Sequence, residues 1–204
     1  TFPNIANLPA FPSQAIAMPP AAPRPAPQPH PAAAPAKAQP VAARCVDSAI
    51  DLASGEPVVV RMYGRKKAGH ASPLVVHFHG GAFVSGDLDN GHTVAHLLEG
   101  AGAVVVSVAY PLTPFPQPVD TGYGVLQWVH RHRTKLGGQG ALVYLAGEEA
   151  GGNLAAAVAL MARDQAHPPL AGQILLSPML DPCVGSASQR RTTGDAVDCK
   201  WVQG

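Results

Sequence analysis

The sequence predicts an α/β fold with a doubly wound, mostly parallel sheet, and three observations lead to this prediction. Four apolar runs have the length of strands and are continuous rather than alternating, which is typical of strands covered on both faces. Helical stretches separate these runs, and a regular alternation of strand and helix favours parallel pairing. The 204 residues, 47% of them hydrophobic and 13% charged, are enough for one domain-sized core.

Each element is predicted from its own stretch of sequence. The folded region opens with two strands, Val46 to Leu52 and Pro57 to Arg65, because a turn signal at Ser54-Gly55-Glu56 separates them. The four apolar runs follow, at Leu74 to His79, Ala103 to Val108, Leu142 to Leu145 and Gln173 to Leu176. Between the runs, the predicted helices are roughly Asn90 to Ala101, Val119 to Leu136 and Ala150 to Asp164.

The first 44 residues form a different kind of segment. From Pro19 to Pro40 the chain is almost wholly Pro and Ala, a composition that cannot build helices or sheet ladders and favours the polyproline II conformation. We therefore predict two regions, a flexible Pro/Ala-rich arm over residues 1–44 and an α/β domain over residues 45–204.

Charge and cysteine content limit the classes of partner. A formal net charge of +1, without a run of Lys and Arg, gives no basic field, so we expect no nucleic-acid partner. No apolar stretch approaches the ~20 residues that a membrane span needs, and the N-terminus lacks the pattern of a secretory signal. Three widely spaced cysteines without a CxxC pair are typical of free thiols, so we predict a cytoplasmic protein.

Two glycine-containing loops stand where chemistry is expected. One reads His77-Phe78-His79-Gly80-Gly81-Ala82-Phe83, and the other reads Gly147-Glu148-Glu149-Ala150-Gly151-Gly152-Asn153. Each loop follows a predicted strand, and open α/β sheets place their ligands at the carboxyl ends of the strands. We therefore predict the functional site at these two loops.

The two loops resemble motifs of the hormone-sensitive-lipase-like esterases, a family with the α/β-hydrolase fold. The run from His79 to Ala82 is similar to the HGGG-type oxyanion motif, with Ala82 in place of the third Gly, a mild change if its φ is negative. The second loop is similar to the family's nucleophile elbow, Gly-Asp-Ser-Ala-Gly-Gly-Asn, with only Asp and Ser changed, both to Glu. The stretch from Leu176 to Asp181 also matches. The stretch from Tyr110 to Asp120 matches as well, but it lacks the family's usual Arg after Tyr110 and is shortened before Phe115.

The resemblance implies a role for each residue of the two loops. Glu149 takes the position of the nucleophile, and His79 would brace the oxyanion loop. The oxyanion hole would be formed by the backbone N–H groups of Gly80, Gly81, Ala82 and Ala150. The remaining residues of the elbow motif are Gly147, Glu148, Gly151, Gly152 and Asn153.

Glu149 removes the hydroxyl group that a serine esterase needs, because the serine must lose its proton to His as it attacks. The Glu149 carboxylate would lie at a helix start among unpaired N–H groups, and we expect it to fold back into the oxyanion hole. Since Asp nucleophiles exist at this elbow, a nucleophilic Glu149 stays an alternative. In the family, the acid and the His of the triad follow a cap insertion, and residue 204 is expected to lie within that insertion. We therefore expect neither residue at its family position in this sequence.

Two other kinds of site are disfavoured. His77 and His79 with His92 and His96 contain the imidazole nitrogens that zinc prefers, but nothing brings the strand pair and the helix pair together. Glu148 and Glu149 offer two carboxylates, but they are adjacent at a turn and cannot flank a sugar bond as glycosidase carboxylates do. We expect neither a metal nor a cofactor.

Two functional hypotheses follow. The first is a catalytically degenerate esterase homologue that keeps the fold for binding, structure or assembly, with a small apolar ligand as one candidate. The alternative is a piece of a split or longer carboxylic-ester hydrolase whose His and Asp lie outside this chain. In either case we expect these residues to hold only the N-terminal part of the sheet, without its last strands, and a partner chain or a dimer to cover the apolar edge at Ile174 to Leu176.

Overall fold

A computed structural model of the chain describes residues 45–180. The predictions for the arm of residues 1–44 and for the cap region within residues 181–204 lie outside this range and stay predictions. The described elements, in chain order, are β1 Val46–Asp51, β2 Pro57–Tyr63, β3 Leu74–Phe78, α1 His92–Gly100, β4 Val104–Val108, α2 Gln117–Arg131, α3 Arg133–Gly137, β5 Val143–Glu148, α4 Ala150–Asp164 and β6 Gly172–Leu176.

The strands form one six-stranded sheet in the order β1-β2-β4-β3-β5-β6. The last four strands of this order run parallel to one another, whereas the hairpin β1-β2 joins β4 in antiparallel orientation. The predicted mostly parallel sheet is therefore confirmed. In the described part of the chain, β6 forms one edge of the sheet.

Helices cover both faces of the sheet, as a doubly wound fold requires. On one face Phe78 of β3 is buried with Leu154 of α4, and α2 packs beside α4. On the other face Ala95 of α1 is buried with Val75 of β3. Because side chains alternate along a strand, His77 lies on the α1 side, and all five residues of β3 are buried. This double coverage explains why the apolar runs of the sequence are continuous.

The long helix predicted from Val119 to Leu136 is wrong in one respect, since the structure divides it into α2 and α3. The break falls at His132, which leaves helical geometry at φ −98° and ψ 8°. The His132 ring nitrogen Nδ1 lies 2.8 Å from the carbonyl oxygen of Trp128 and competes for a helix acceptor. Within residues 45–180, no helix combines the length and the apolar character needed to cross a bilayer.

Candidate active site

The turn between β5 and α4 forms a tight elbow at Glu149. Glu149 has φ 54° and ψ −115°, a left-handed conformation that costs a non-glycine residue about 1–3 kcal/mol. The neighbouring glycines permit the turn because a Cβ at Gly147 would lie 2.2 Å from the carbonyl oxygen of Gly151, and a Cβ at Gly151 would lie 2.1 Å from that of Phe78. Close backbone contacts therefore explain why glycines stand at positions 147 and 151 on either side of Glu149.

Hydrogen bonds to the end of β6 and to the segment that follows it hold this elbow in place. The Glu149 N–H donates to the carbonyl oxygen of Leu176 at 2.9 Å, and the Glu149 carbonyl accepts from the N–H of Met179 at 3.0 Å. Asn153, on the first turn of α4, donates its side-chain amide to the Met179 carbonyl at 2.6 Å. Asn153, predicted as a motif residue, thus braces the elbow through the loop that faces it.

Residues 79–83 form the turn that follows β3, which we call the oxyanion turn after the motif it resembles, and three consecutive residues in it have positive φ. These values are 123° at Gly81, 56° at Ala82 and 67° at Phe83. A Cβ at Gly81 would lie 2.1 Å from the carbonyl oxygen of Ser85, so this position requires glycine. The condition attached to Ala82 is not met, because its φ is positive, and the replacement of a third Gly by Ala82 places an alanine in left-handed backbone.

The Glu149 side chain folds back onto the oxyanion turn, as the sequence predicted. Its Oε2 atom accepts a hydrogen bond from the N–H of Gly81 at 3.1 Å. The same oxygen would be 2.8 Å from a Cβ at Gly80, so the carboxylate lies directly against the turn. Ala150 is fully buried at the start of α4, next to Glu149. One of the N–H groups expected to bind a substrate oxygen is therefore occupied by the protein's own carboxylate.

Glu148 also binds the oxyanion turn, a contact that the sequence did not predict. Its Oε1 atom accepts from the N–H of Gly80 at 3.2 Å. Its Oε2 atom lies 2.7 Å from His77 Nε2, and His77 Nδ1 lies 3.0 Å from Ser107 Oγ. The sequence held part of the signal, because a polar residue such as His77 on a doubly covered strand needs a hydrogen-bonding partner. The structure supplies the rest, since Ser107 stands opposite His77 in the strand register.

His79 is placed by its neighbours rather than directed toward the elbow. Its Nδ1 atom donates to the carbonyl oxygen of Gly80 at 2.7 Å. Its ring stacks on Tyr110 with centroids 4.4 Å apart, and the Tyr110 hydroxyl donates to the His79 carbonyl at 2.8 Å. Burial lowers the pKa of His79. Burial also raises the pKa of Tyr110, and the charges of Glu148 and Glu149 raise the Tyr110 pKa further. These contacts fix the His79 ring between Tyr110 and the turn, and its bracing role stays a prediction.

The helix histidines of the disfavoured zinc hypothesis have other contacts. His92 Nδ1 lies 3.2 Å from the Tyr63 hydroxyl, and His92 stacks with His96 at a centroid distance of 5.9 Å. Among the described residues, no group of three or more His, Cys, Asp and Glu side chains could hold a metal ion. At the elbow, the carboxylates of Glu148 and Glu149 accept hydrogen bonds from the backbone N–H groups of Gly80 and Gly81.

Comparison with known proteins relates this geometry to characterised folds. A family model described as alpha/beta hydrolase fold matches residues 75–202. The esterase LipI of Mycobacterium tuberculosis is 39% identical over 142 residues, which are 66% of this chain and 44% of LipI. The gibberellin receptor GID1C of Arabidopsis thaliana is 36% identical over 135 residues, or 62% of this chain and 39% of the receptor.

Human hormone-sensitive lipase is 35% identical over 102 residues, or 48% of this chain and 9% of the lipase. A solved structure, the hyperthermophilic esterase of the archaeon Pyrobaculum calidifontis, superposes with a TM-score of 0.64 at 38% identity. That superposition covers 72% of this chain and 49% of the esterase. The chain thus spans less than half the length of each of these relatives.

Proposed function

The chain belongs to the alpha/beta hydrolase fold family and has esterases and hormone-sensitive lipase among its relatives. Within this family, we propose that it is a catalytically degenerate, esterase-like member with a binding, structural or assembly role. The family resemblance predicted from the two loops is confirmed at this level. The loss of catalysis and the binding role are the proposal.

One observation carries the proposal, the Glu149 carboxylate at 3.1 Å from the Gly81 N–H. Acyl transfer by a serine hydrolase needs a hydroxyl at the elbow and free N–H donors for the oxygen that becomes negative. Glu149 supplies no hydroxyl, and its carboxylate occupies one of the donors. A hydrogen bond to a charged acceptor contributes about 1.5–3 kcal/mol, so an ester carbonyl would have to displace a stronger acceptor than itself.

A binding role is supported by a relative and by the exposed sheet edge. GID1C is by its name a receptor, so the same fold serves recognition in that protein. In the described residues, Ile174 and Leu176 of edge strand β6 are 37% and 39% exposed. Apolar side chains on an open edge favour pairing with another chain. We propose that a protein partner or a second copy of the chain pairs with β6. A small apolar ligand is a further candidate for binding, and we propose the cytoplasm as the compartment.

The second candidate is a part of a longer or split carboxylic-ester hydrolase. It is favoured by the esterase relatives and by the share of their length that this chain spans, which is 44% for LipI and 49% for the Pyrobaculum esterase. In that case the His and Asp of a triad would come from residues outside these 204. Glu149 would still have to be explained, either as an inactivating change or as a carboxylate nucleophile.

The two candidates differ in the hydrolysis of p-nitrophenyl acetate. We would compare the 204-residue chain with its Glu149→Ser and Glu149→Ala variants, each alone and with any chain that copurifies with it. The proposal expects no hydrolysis above buffer for all three proteins, with unchanged circular dichroism. Hydrolysis by the unmodified chain, lost in Glu149→Ala, would overturn the proposal. Hydrolysis gained only by Glu149→Ser would show that a His and an acid are supplied from elsewhere, as the second candidate requires.

A further inference from the structure

A line of hydrogen bonds runs from β4 through β3 to the oxyanion turn. Ser107 and His77 are fully buried, and their atoms Oγ and Nδ1 lie 3.0 Å apart. Glu148 continues the line, with one oxygen 2.7 Å from His77 Nε2 and the other accepting from the Gly80 N–H at 3.2 Å. From this geometry we infer that His77 is a positioning residue, which acts through Glu148 to fix the first N–H of the oxyanion turn.

The direction of the hydrogen bond between His77 and Glu148 follows from the chemistry of the two groups. A carboxylate oxygen can only accept, so His77 Nε2 carries a proton and donates it to Glu148. The side chain of Glu148 is only 20% exposed and is held at both oxygens, which leaves it little freedom to rotate. A hydrogen bond between an imidazole and a carboxylate is stronger than a neutral one, and burial strengthens it further. The Gly80 N–H is therefore held by an acceptor that His77 itself orients.

The two carboxylates of the elbow hold different parts of the turn. Glu148 binds the N–H of Gly80, whereas Glu149 binds the N–H of Gly81. Removal of the Glu149 carboxylate should free the Gly81 donor while His77 and Glu148 still fix the residue before it. His77 and Glu148 would shape the turn in the same way whether the site binds a ligand or hydrolyses an ester.

Amide hydrogen exchange on the ¹⁵N-labelled 204-residue chain tests the inference. His77→Leu removes the donor to Glu148, and we expect the Gly80 amide to exchange at least about ten-fold faster. His77→Gln restores a side-chain N–H and should return most of the protection. Glu149→Ser is the matched control, because it should speed exchange at Gly81 and leave Gly80 unchanged.

A measurement on the unmodified chain guards against variants that fail to fold. The imidazole ¹⁵N shifts of His77 should show a protonated Nε2, the atom that faces Glu148. The exchange of the Val76 amide, in the centre of β3, reports whether the sheet is intact in each variant. An unprotonated Nε2 would overturn the inference, as would unchanged Gly80 exchange in His77→Leu, or equal loss in His77→Gln and His77→Leu with Val76 still protected.

Discussion

Replacement of Gly151 by alanine tests how tightly α4 approaches β3. Alanine favours a helix over glycine by about 1 kcal/mol, so helix propensity alone predicts stabilisation. The structure predicts the opposite sign, because the new Cβ would lie 2.1 Å from the Phe78 carbonyl oxygen and 2.4 Å from that of His79. Both neighbours are backbone atoms that cannot rotate away. We expect a net loss of about 3 kcal/mol, at the upper end of the usual cost of overpacking.

The assay is thermal unfolding followed by circular dichroism, with Gly100→Ala as the matched control. For a chain of this size, 1 kcal/mol corresponds to about 2–4 °C in Tm, so Gly151→Ala should lower Tm by about 6–12 °C. Gly100 ends α1, and a Cβ there would meet no atom within 4 Å. Its replacement should leave Tm unchanged or raise it slightly. A Tm of Gly151→Ala equal to or above that of the unmodified chain would refute the close approach of α4.

Three further predictions concern pH, the oxyanion turn and the sheet edge. Burial holds the pKa of His79 below its usual 6.5, so the free energy of unfolding should be highest above that pH and decline as the pH falls from about 6.5 toward the folded-state pKa. The urea midpoint should therefore drop between pH 7.5 and 5.5, and it should drop less in His79→Gln. Ala82→Gly should raise the free energy of unfolding by up to about 1 kcal/mol, since φ is 56°, and a loss in urea titrations would contradict the positive φ. Ile174→Lys should shift any oligomer or complex toward the monomer in light scattering, and an unchanged mass would place the contact elsewhere.

Much of the fold could be predicted because its signals are local or periodic. The boundaries of α4 agree with the prediction at both ends, since a glycine motif fixes its start and an unbroken helical pattern follows. β5 was predicted to end at Leu145 but continues to Glu148. Its last residues are poor strand formers by composition, and pairing with β6, for example Gly147 with Leu175, carries the strand further. Tertiary pairing of this kind is not visible in a single stretch of sequence.

The candidate site was predictable in its composition and only partly in its contacts. The return of the Glu149 carboxylate to the turn follows from side-chain length and from the N–H groups at a helix start. The contact of Glu148 with His77 joins β5 to β3, and its recognition requires the strand order as well as the motif. The positive φ of Ala82 was missed because alanine gives no signal of left-handed backbone, in contrast to glycine at Gly81.

The backbone bonds of Glu149 have a consequence for the order of folding. Its N–H group bonds to Leu176, the last residue of β6, and its carbonyl group bonds to Met179 beyond β6, so both partners come after all of α4 in the chain. β5 and α4 can begin to form from local contacts, but the left-handed elbow between them lacks these partners until the later segment arrives. During synthesis on the ribosome, the elbow should therefore acquire its final geometry late, after β6 has emerged and paired with β5. A nascent chain that stops before Leu176 would carry the motif without its conformation.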